Sequence, residues 1–382
     1  MVKSEPDYPI ILIGGSAGAL EVVQTILSGI PADFRGAVLV VLHTSPQSSM
    51  LAQQLEKAAT LPVSSPADGT PIEAGHVYVA PPDFHMLVED DVVRVVRGPR
   101  ENHCRPAIDP LFRSAAIRFR DRVKAIVLSG YLDDGASGSV AVAECGGRVA
   151  VQSPASAAAG DMPTNTLQVV DVDLVGTPPQ LTRWLVESFT EPARRPDGPT
   201  PSDLIGGPPR SNGSARGGES ISDNGRPLNP DDPPDEITNR MRAIQAEVHV
   251  AGSIESNIPL EEAMGDLVPM TCPECSGPLW TIKNDRVRRY RCHTGHGYTA
   301  KALATKQDDG IEAALWSAMR LMQERANNLD MLAGNAAAGK QLFSARAEES
   351  RKNAEVIRSL LVGSCKADVQ EAKRTSVEQH HV

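Results

Sequence analysis

The chain has 382 residues, 41% hydrophobic and 23% charged, which allows a sizeable core and excludes wholesale disorder. Thirty-eight basic against forty-eight acidic residues give a net charge of −10, so a general nucleic-acid or anionic-membrane binder is not expected. Six cysteines are too few for a disulfide scaffold, no stretch approaches the ~20 apolar residues of a membrane span, and Met1 to Pro9 lack a secretory signal; a reducing cytoplasm is the expected compartment.

Residues 8–190 read as one α/β domain. Apolar runs recur at Ile10–Ile13, Ala37–Leu42, Val77–Ala80, Met86–Val88, Val92–Val96, Ala125–Leu128, Arg148–Val151 and Gln168–Leu174. Helical patterns lie between several of them, at Leu20–Ile30, Ser48–Ala59, Pro110–Arg120 and Gly138–Glu144. This alternation predicts a doubly wound, mostly parallel sheet covered on both faces, with a β-hairpin around Asp90-Asp91.

Residues 191–236 hold ten prolines, seven glycines and no aromatic residue, the composition of a disordered linker. A short helix plus a small ribbon-like module is expected over 237–306, a helical hairpin or coiled-coil element over 307–365, and a flexible tail over 366–382. In the hairpin, Ile311, Leu315, Ala318, Met322, Leu329 and Leu332 form the expected apolar stripe. The linker should leave the ribbon and hairpin mechanically separate from the first domain, as a tethered docking arm.

Three polar residues fall at the carboxyl ends of predicted strands: Ser16 in Gly14-Gly15-Ser16-Ala17-Gly18, His43 after Leu42, and Asp134 after Ala125–Leu128. Ligands of open parallel sheets bind beyond those strand ends. A serine hydroxyl needs a base to become nucleophilic, a histidine supplies one near neutral pH, and an aspartate orients the histidine. Free amides at the start of the following helix could hold an oxyanion. Ser16 could equally cap that helix, the glycine-rich turn could cradle a phosphate in a nucleotide-binding module, and Asp134-Gly135 could be a plain turn.

A second cluster, Cys272-Pro-Glu-Cys275 and Cys292-His-Thr-Gly-His296, has the spacing of a closed tetrahedral zinc ribbon, so the metal would be structural. A disulfide is the alternative, and His293 the competing ligand.

The serine segment Ile11–Glu21 resembles the serine motif of the chemotaxis protein-glutamate methylesterases. Further landmarks follow in that family's order: Val41-Leu42-His43, Val77–His85, Arg105–Ala116, Leu128–Gly135, and Gln152–Ser156 with Gly160–Pro163. The resemblance covers about residues 9–190. It implies hydrolysis of glutamyl methyl esters on a methyl-accepting chemoreceptor or similar protein, with Ser16 as nucleophile, His43 as base and Asp134 as its orienter. Glutamine deamidation is the same acyl chemistry. Ala17 and Tyr131 would supply the oxyanion and substrate contacts. No cofactor is implied for catalysis, nor membrane insertion. Regulated members carry an amino-terminal receiver domain, which is not expected here.

Tyr131-Leu132 stands where the family usually has Met-Gly, Ala17 replaces a hydroxyl residue and Ala19 a glycine. A catalytically weak regulatory or binding module is therefore the alternative. Arg105 could meet substrate or a neighbouring carboxylate; Asp109-Pro110 reads as N-cap and first helical residue; His85 and Cys104 carry no assigned role. Similar Cys-Pro-x-Cys ribbons occur in carboxy-terminal extensions of some methylesterase-like proteins.

Overall fold

A computed structural model describes residues 8–45, 50–187, 234–252, 264–282, 286–335 and 340–378. Most of the expected linker lies outside the described residues. The chain divides into two compact units, 1–303 and 304–382.

The first unit begins with β1 (Ile10–Gly15), α1 (Leu20–Gly29), β2 (Ala37–Leu42), α2 (Leu51–Glu56), β3 (Val63–Ser64), β4 (Thr70–Pro71) and β5 (His76–Val79). It continues through β6 (His85–Glu89), β7 (Val92–Val96), α3 (Ile108–Phe119), β8 (Val123–Val127), α4 (Ala136–Glu144) and β9 (Arg148–Gln152). The domain closes with α5 (Asp161–Leu167), β10 (Leu174–Gly176) and α6 (Pro178–Glu187). Seven strands form a parallel sheet in the order β10-β9-β8-β1-β2-β5-β3. Every residue of β1 and β2 is buried, because helices cover both faces and the period-two alternation sends side chains into two separate cores. Ile10 and Leu12 join one core with α3 and α4; Ile11 and Ile13 join the other with α1 and α6.

β6 and β7 form the expected hairpin, its turn placing Asp90 at φ 51°, and pair with β4 in a small antiparallel sheet. The expected strand Gln168–Leu174 is a misreading. Strand structure is confined to Leu174–Gly176, because the Thr166 carbonyl accepts the amides of Val169 and Val170 and closes a turn there. The helix expected over Ser48–Ala59 is α2; residues 46–49 lie outside the described residues.

The same unit contains α7 (Pro234–Gly252) and a four-stranded antiparallel sheet of β11 (Met264–Thr271), β12 (Pro278–Ile282), β13 (Arg289–Cys292) and β14 (Gly297–Thr299). The expectation that a linker isolates this module from the first domain is corrected here. Met241 and Ile244 of α7 pack on the α3 core, and a buried ion cluster joins the elements. Glu101 pairs with Arg113 of α3 and, at 2.9 Å, with Arg291 of β13; Glu247 of α7 pairs with Arg289 and, at 3.4 Å, with Arg291. Burial pushes the Glu101 carboxyl up, but Arg113, Arg291 and Arg289 outweigh it and hold the group well below the usual carboxylate range.

The second unit lies within α8 (Ala300–Asn335) and α9 (Lys340–Glu378). Met319, Ala326 and Ala333 are buried on one helix and Ala347, Ala354 and Leu361 on the other, every seventh residue in each case. That is a heptad seam. The Arg325–Ser350 hydrogen bond and the Arg351–Asp330 pair join the two helices. Of the expected stripe, Leu315 and Met322 pack against this seam, whereas Ile311 and Leu332 are exposed. The helix also runs on to Glu378, past position 366 where a flexible tail was expected, through good helix formers such as Ala367, Glu371, Ala372 and Lys373.

Leu39 is fully buried in β2. Leu39→Ala should lower unfolding stability by about 2–5 kcal/mol, measured as a reduced denaturant midpoint with an unchanged slope.

Candidate active site and metal cluster

β8, β1 and β2 are adjacent, and the chain order reverses at β1: one branch of the sheet starts at β2, the other at β8. The crevice over their carboxyl ends is thus the topological switch point. The ladder extends past the strands, with Ser16 N donating to Ser129 O (2.8 Å) and His43 N to Gly15 O (3.1 Å). Ser16 and His43 therefore leave adjacent strands side by side.

The Ser16 hydroxyl does not cap α1; the cap position is Ala19, without a side-chain hydrogen bond. Among the described residues the Ser16 hydroxyl makes no hydrogen bond, so its oxygen is not committed elsewhere. Gly130 is required beside it, because a Cβ there would lie 2.0 Å from Met162 Sδ and 2.8 Å from Ser16 Cβ. Ser129 ties the two turns together, its Oγ donating to Ala17 O (2.6 Å) and accepting from Ala159 N (2.8 Å).

His43 Nε2 and Asp134 Oδ2 are 2.7 Å apart. That leaves Nδ1 as the nitrogen open to a second partner, and Cys104 Sγ stands 3.4 Å from it. Burial pushes the imidazole down, but Cys104 and the Asp134 hydrogen bond outweigh it, so its pKa lies above the ordinary histidine value. Asp134 is buried and accepts from Ile108 N (2.7 Å), Asp109 N (3.2 Å), Gly135 N (3.1 Å) and Asn102 Nδ2 (3.2 Å). Burial pushes its carboxyl up, yet His43 and the α3 amides prevail and lower it. Its neighbour Asp109 is driven the other way, to about 8, by burial and then by the Asp134 charge.

Asp109 is not the cap of its own helix. It lies within the first turn of α3 and its Oδ1 accepts from Gly135 N and Gly138 N, fixing the turn that enters α4. Arg105 takes the structural alternative: it pairs with Asp83 at 2.7 Å and donates to Gly98 O. His85 is fully buried, bonded through Nε2 to Pro99 O and through Nδ1 to Ala107 N, and supports the loop carrying Cys104 and Asn102.

Tyr131 is 65% exposed, so its bulk points away from the buried site. Leu132 adopts φ 63°, the left-handed geometry a glycine would take freely, and Asn165 donates to its carbonyl. Sequence reading missed Asn102, Cys104, Asp109 and Ser129 as site neighbours. The one signal for the first two is the run Glu101-Asn-His-Cys104, dense in chemically able side chains, just ahead of the Arg105–Ala116 landmark.

The four expected metal donors come together. Cys272, Cys275, Cys292 and His296 present ligand atoms all within 4.8 Å of one another. Cys275 Sγ to Cys292 Sγ is 3.6 Å, too long for a disulfide, and His296 Nδ1 lies 3.5 Å from Cys292 Sγ and 3.7 Å from Cys272 Sγ. A tetrahedron with ~2.3 Å metal–sulfur bonds has edges of about 3.7 Å, so the donor set fits zinc. Outer contacts also suit a metal: His296 Nε2 faces Glu274 Oε2 at 3.4 Å, and Tyr298 Oη lies 3.1 Å from Cys272 Sγ. His293 is exposed and outside the donor set.

An α/β sheet with a serine and an Asp-paired histidine at its switch point carries the residue types that a serine hydrolase uses. A family model described as CheB methylesterase matches residues 11–185. Protein-glutamate methylesterase/protein-glutamine glutaminase 1 of Rhodospirillum rubrum is 37% identical over 174 residues, 44% of each chain. A putative protein-glutamate methylesterase/protein-glutamine glutaminase of Leptospira interrogans is 34% identical over 171 residues, 44% of this chain and 89% of that protein. The chain spans less than half the length of the Rhodospirillum relative and most of the Leptospira one. The solved catalytic domain of the Thermotoga maritima CheB methylesterase aligns with a TM-score of 0.46 and 27% identity, over 48% of this chain and 99% of that one. The chain belongs to the CheB methylesterase family.

With His43 as the expected base, which works deprotonated, kcat/KM should rise with pH through the His43 pKa, with a midpoint above the ordinary ~6.5. Cys104→Ala removes a partner that raises this pKa. The midpoint should then fall, which a pH–rate profile on a small ester reads directly.

Proposed function

We propose that this protein is a protein-glutamate methylesterase acting through Ser16, His43 and Asp134 on a methyl-accepting signalling receptor in the cytoplasm. The observation that carries the reading is the part-buried His43–Asp134 hydrogen bond at the switch point of the sheet, one strand away from a Ser16 hydroxyl that has no other partner among the described residues. The names of the relatives support the substrate class.

In this mechanism Ser16 Oγ attacks the glutamyl ester carbonyl while His43 accepts its proton. The tetrahedral oxyanion takes amides at Ala17 and Tyr131. Collapse breaks the ester C–O bond, and His43 returns the proton to the departing methoxide as methanol. Water then attacks the acyl-enzyme, His43 taking its proton, to release the glutamate carboxylate and Ser16. Glutamine side chains would follow the same path with ammonia leaving. Asp134, kept anionic by the α3 amides, stabilises the imidazolium between the proton transfers. No cofactor enters these steps. We further assign a structural zinc to Cys272, Cys275, Cys292 and His296; four protein donors leave no open position for metal catalysis. No described helix is long and apolar enough to cross a membrane.

Ser16→Ala should cut methanol release from a methyl-labelled receptor on the order of 10⁴-fold or more. Equal release by both forms would sink the serine mechanism; no release by either would favour the regulatory-module reading. Elemental analysis of protein purified without chelator should find one zinc per chain, and Cys275→Ser should lose it.

A further inference from the structure

The loop Glu101–Cys104 lies between the ribbon and the candidate triad and bonds to both. On the ribbon side, Asn102 N donates to Gly297 O (2.9 Å), Gly297 N donates to Arg100 O (3.1 Å), and Thr299 N donates to Asn102 Oδ1 (3.0 Å). Thr299 Oγ1 also reaches Asp133 Oδ1 at 2.7 Å. On the triad side, Asn102 Nδ2 donates to Asp134 Oδ1 and Asp109 Oδ2, both at 3.2 Å, and Cys104 Sγ faces His43 Nδ1. Asn102 therefore spends both ends of one buried amide on a single link from β14 to the carboxylate that pairs with His43.

The loop would not hold this shape alone. Asn102 and His103 are successive non-glycine residues at φ 49° and 65°, a left-handed geometry that asparagine and histidine tolerate better than most residues but that a free loop populates only in part. The ribbon supplies contacts that hold it. His103 packs on Tyr298 with ring centroids 5.0 Å apart and bonds Ala302 O, while Tyr298 Oη reaches Cys272 Sγ. Only five residues separate His296 of the donor set from Ala302, and they include both Tyr298 and Thr299.

We propose that Asn102 is a positioning residue for Asp134, and that the metal-held ribbon, through Thr299 and the Glu101–Cys104 loop, is a working part of the hydrolase site rather than a separate docking arm. This rests on the esterase reading above. A small module with few buried residues depends on its metal for shape. Metal loss should loosen β14, release Asn102 and unfix Asp134. KM for a small ester should change little, because this link bonds to Asp134 and Asp109 and none of its bonds reaches Ser16.

The test uses the full-length, zinc-loaded chain and Asn102→Gly, which tolerates the left-handed backbone while deleting the amide. Two quantities are read before and after stripping the metal with a chelator: kcat and KM for a small ester, and the downfield NMR signal of the proton between His43 and Asp134. Asn102→Gly and metal removal should each lower kcat roughly ten- to a hundredfold, the loss expected for a hydrogen bond to a charged group. KM should stay nearly constant, and the NMR signal should shift or vanish. Combined, the two changes should do little more than either alone, because they break the same link. Multiplicative losses, or a chelated wild type with unchanged kcat and NMR signal, would overturn the proposal. If Asn102→Gly does not fold, the chelated wild type decides alone through that signal. If wild type hydrolyses no ester, the esterase reading fails, and the NMR arm still decides whether the ribbon positions Asp134.

Discussion

The carboxylate of Asp134 is where the architecture converges. It is buried, and five donors reach it: His43, two amides of the first turn of α3, its own following amide at Gly135, and Asn102. A buried anion is tolerated only when its lone pairs are met and a positive potential is at hand. The amino end of α3 supplies both, since its first amides lack partners within the helix and its dipole favours negative charge there. A residue in the loop after β8 is thereby fixed to the start of a helix that precedes that strand. Both are locked to His43 after β2. Two strand ends and one helix terminus become a single unit through one side chain.

A second buried polar assembly does the same over a longer range. Glu101, Arg113, Glu247, Arg289 and Arg291 come from a loop, α3, α7 and β13, and all five are nearly inaccessible to water. Desolvating so many charges costs about as much as their mutual attraction returns, so the cluster is weak evidence for stability in itself. Its effect is on specificity. Removing any one partner leaves an uncompensated buried charge, at a cost of roughly 3–5 kcal/mol, so alternative dockings of α7 and the ribbon are strongly disfavoured. The geometry that brings Thr299 to Asn102 is selected in this way.

What could be read from the sequence, and what could not, follows from the range of the interactions. Ser16, His43 and Asp134 were legible because each is announced locally, by an apolar strand run ending in a glycine-rich or polar turn. The Cys272–His296 donors were legible for the same reason, through spacing alone. Asp109 was misread as the cap of its own helix because its real partners, Gly135 and Gly138, lie over twenty residues downstream. Cys104 and Asn102 carried one weak local signal, the run of chemically able side chains from Glu101 to Cys104, which names no partner; only tertiary structure brings one to His43 and the other to Asp134. The largest error, a ribbon treated as an independent arm, came from reading a proline- and glycine-rich segment as mechanical separation. Such a tether sets only the reach between modules. Whether they pack is decided by complementary surfaces, here charges spread over α3, α7 and β13 that no window of sequence displays together.

The departures from the family pattern at Tyr131-Leu132 can be judged by the same logic. A leucine at φ 63° carries a cost of order 1–2 kcal/mol that glycine would not. It is held there by Asn165 on its carbonyl and by the strand of contacts on either side: Gly130 N bonded to Ala159 O, and Asp133 bonded to Thr299. The backbone path between Gly130 and Asp134 is thus set from outside the loop, by α5 and by the ribbon, rather than by the loop's own sequence. A glycine-containing loop could adopt that path but would not be confined to it. The side-chain change therefore need not imply a lost site. It moves control of the loop geometry onto neighbouring elements, one of which is β14. The ribbon that bonds Asn102, and through it Asp134, also bonds the adjoining loop at Asp133, so both sides of Asp134 rest on the same strand.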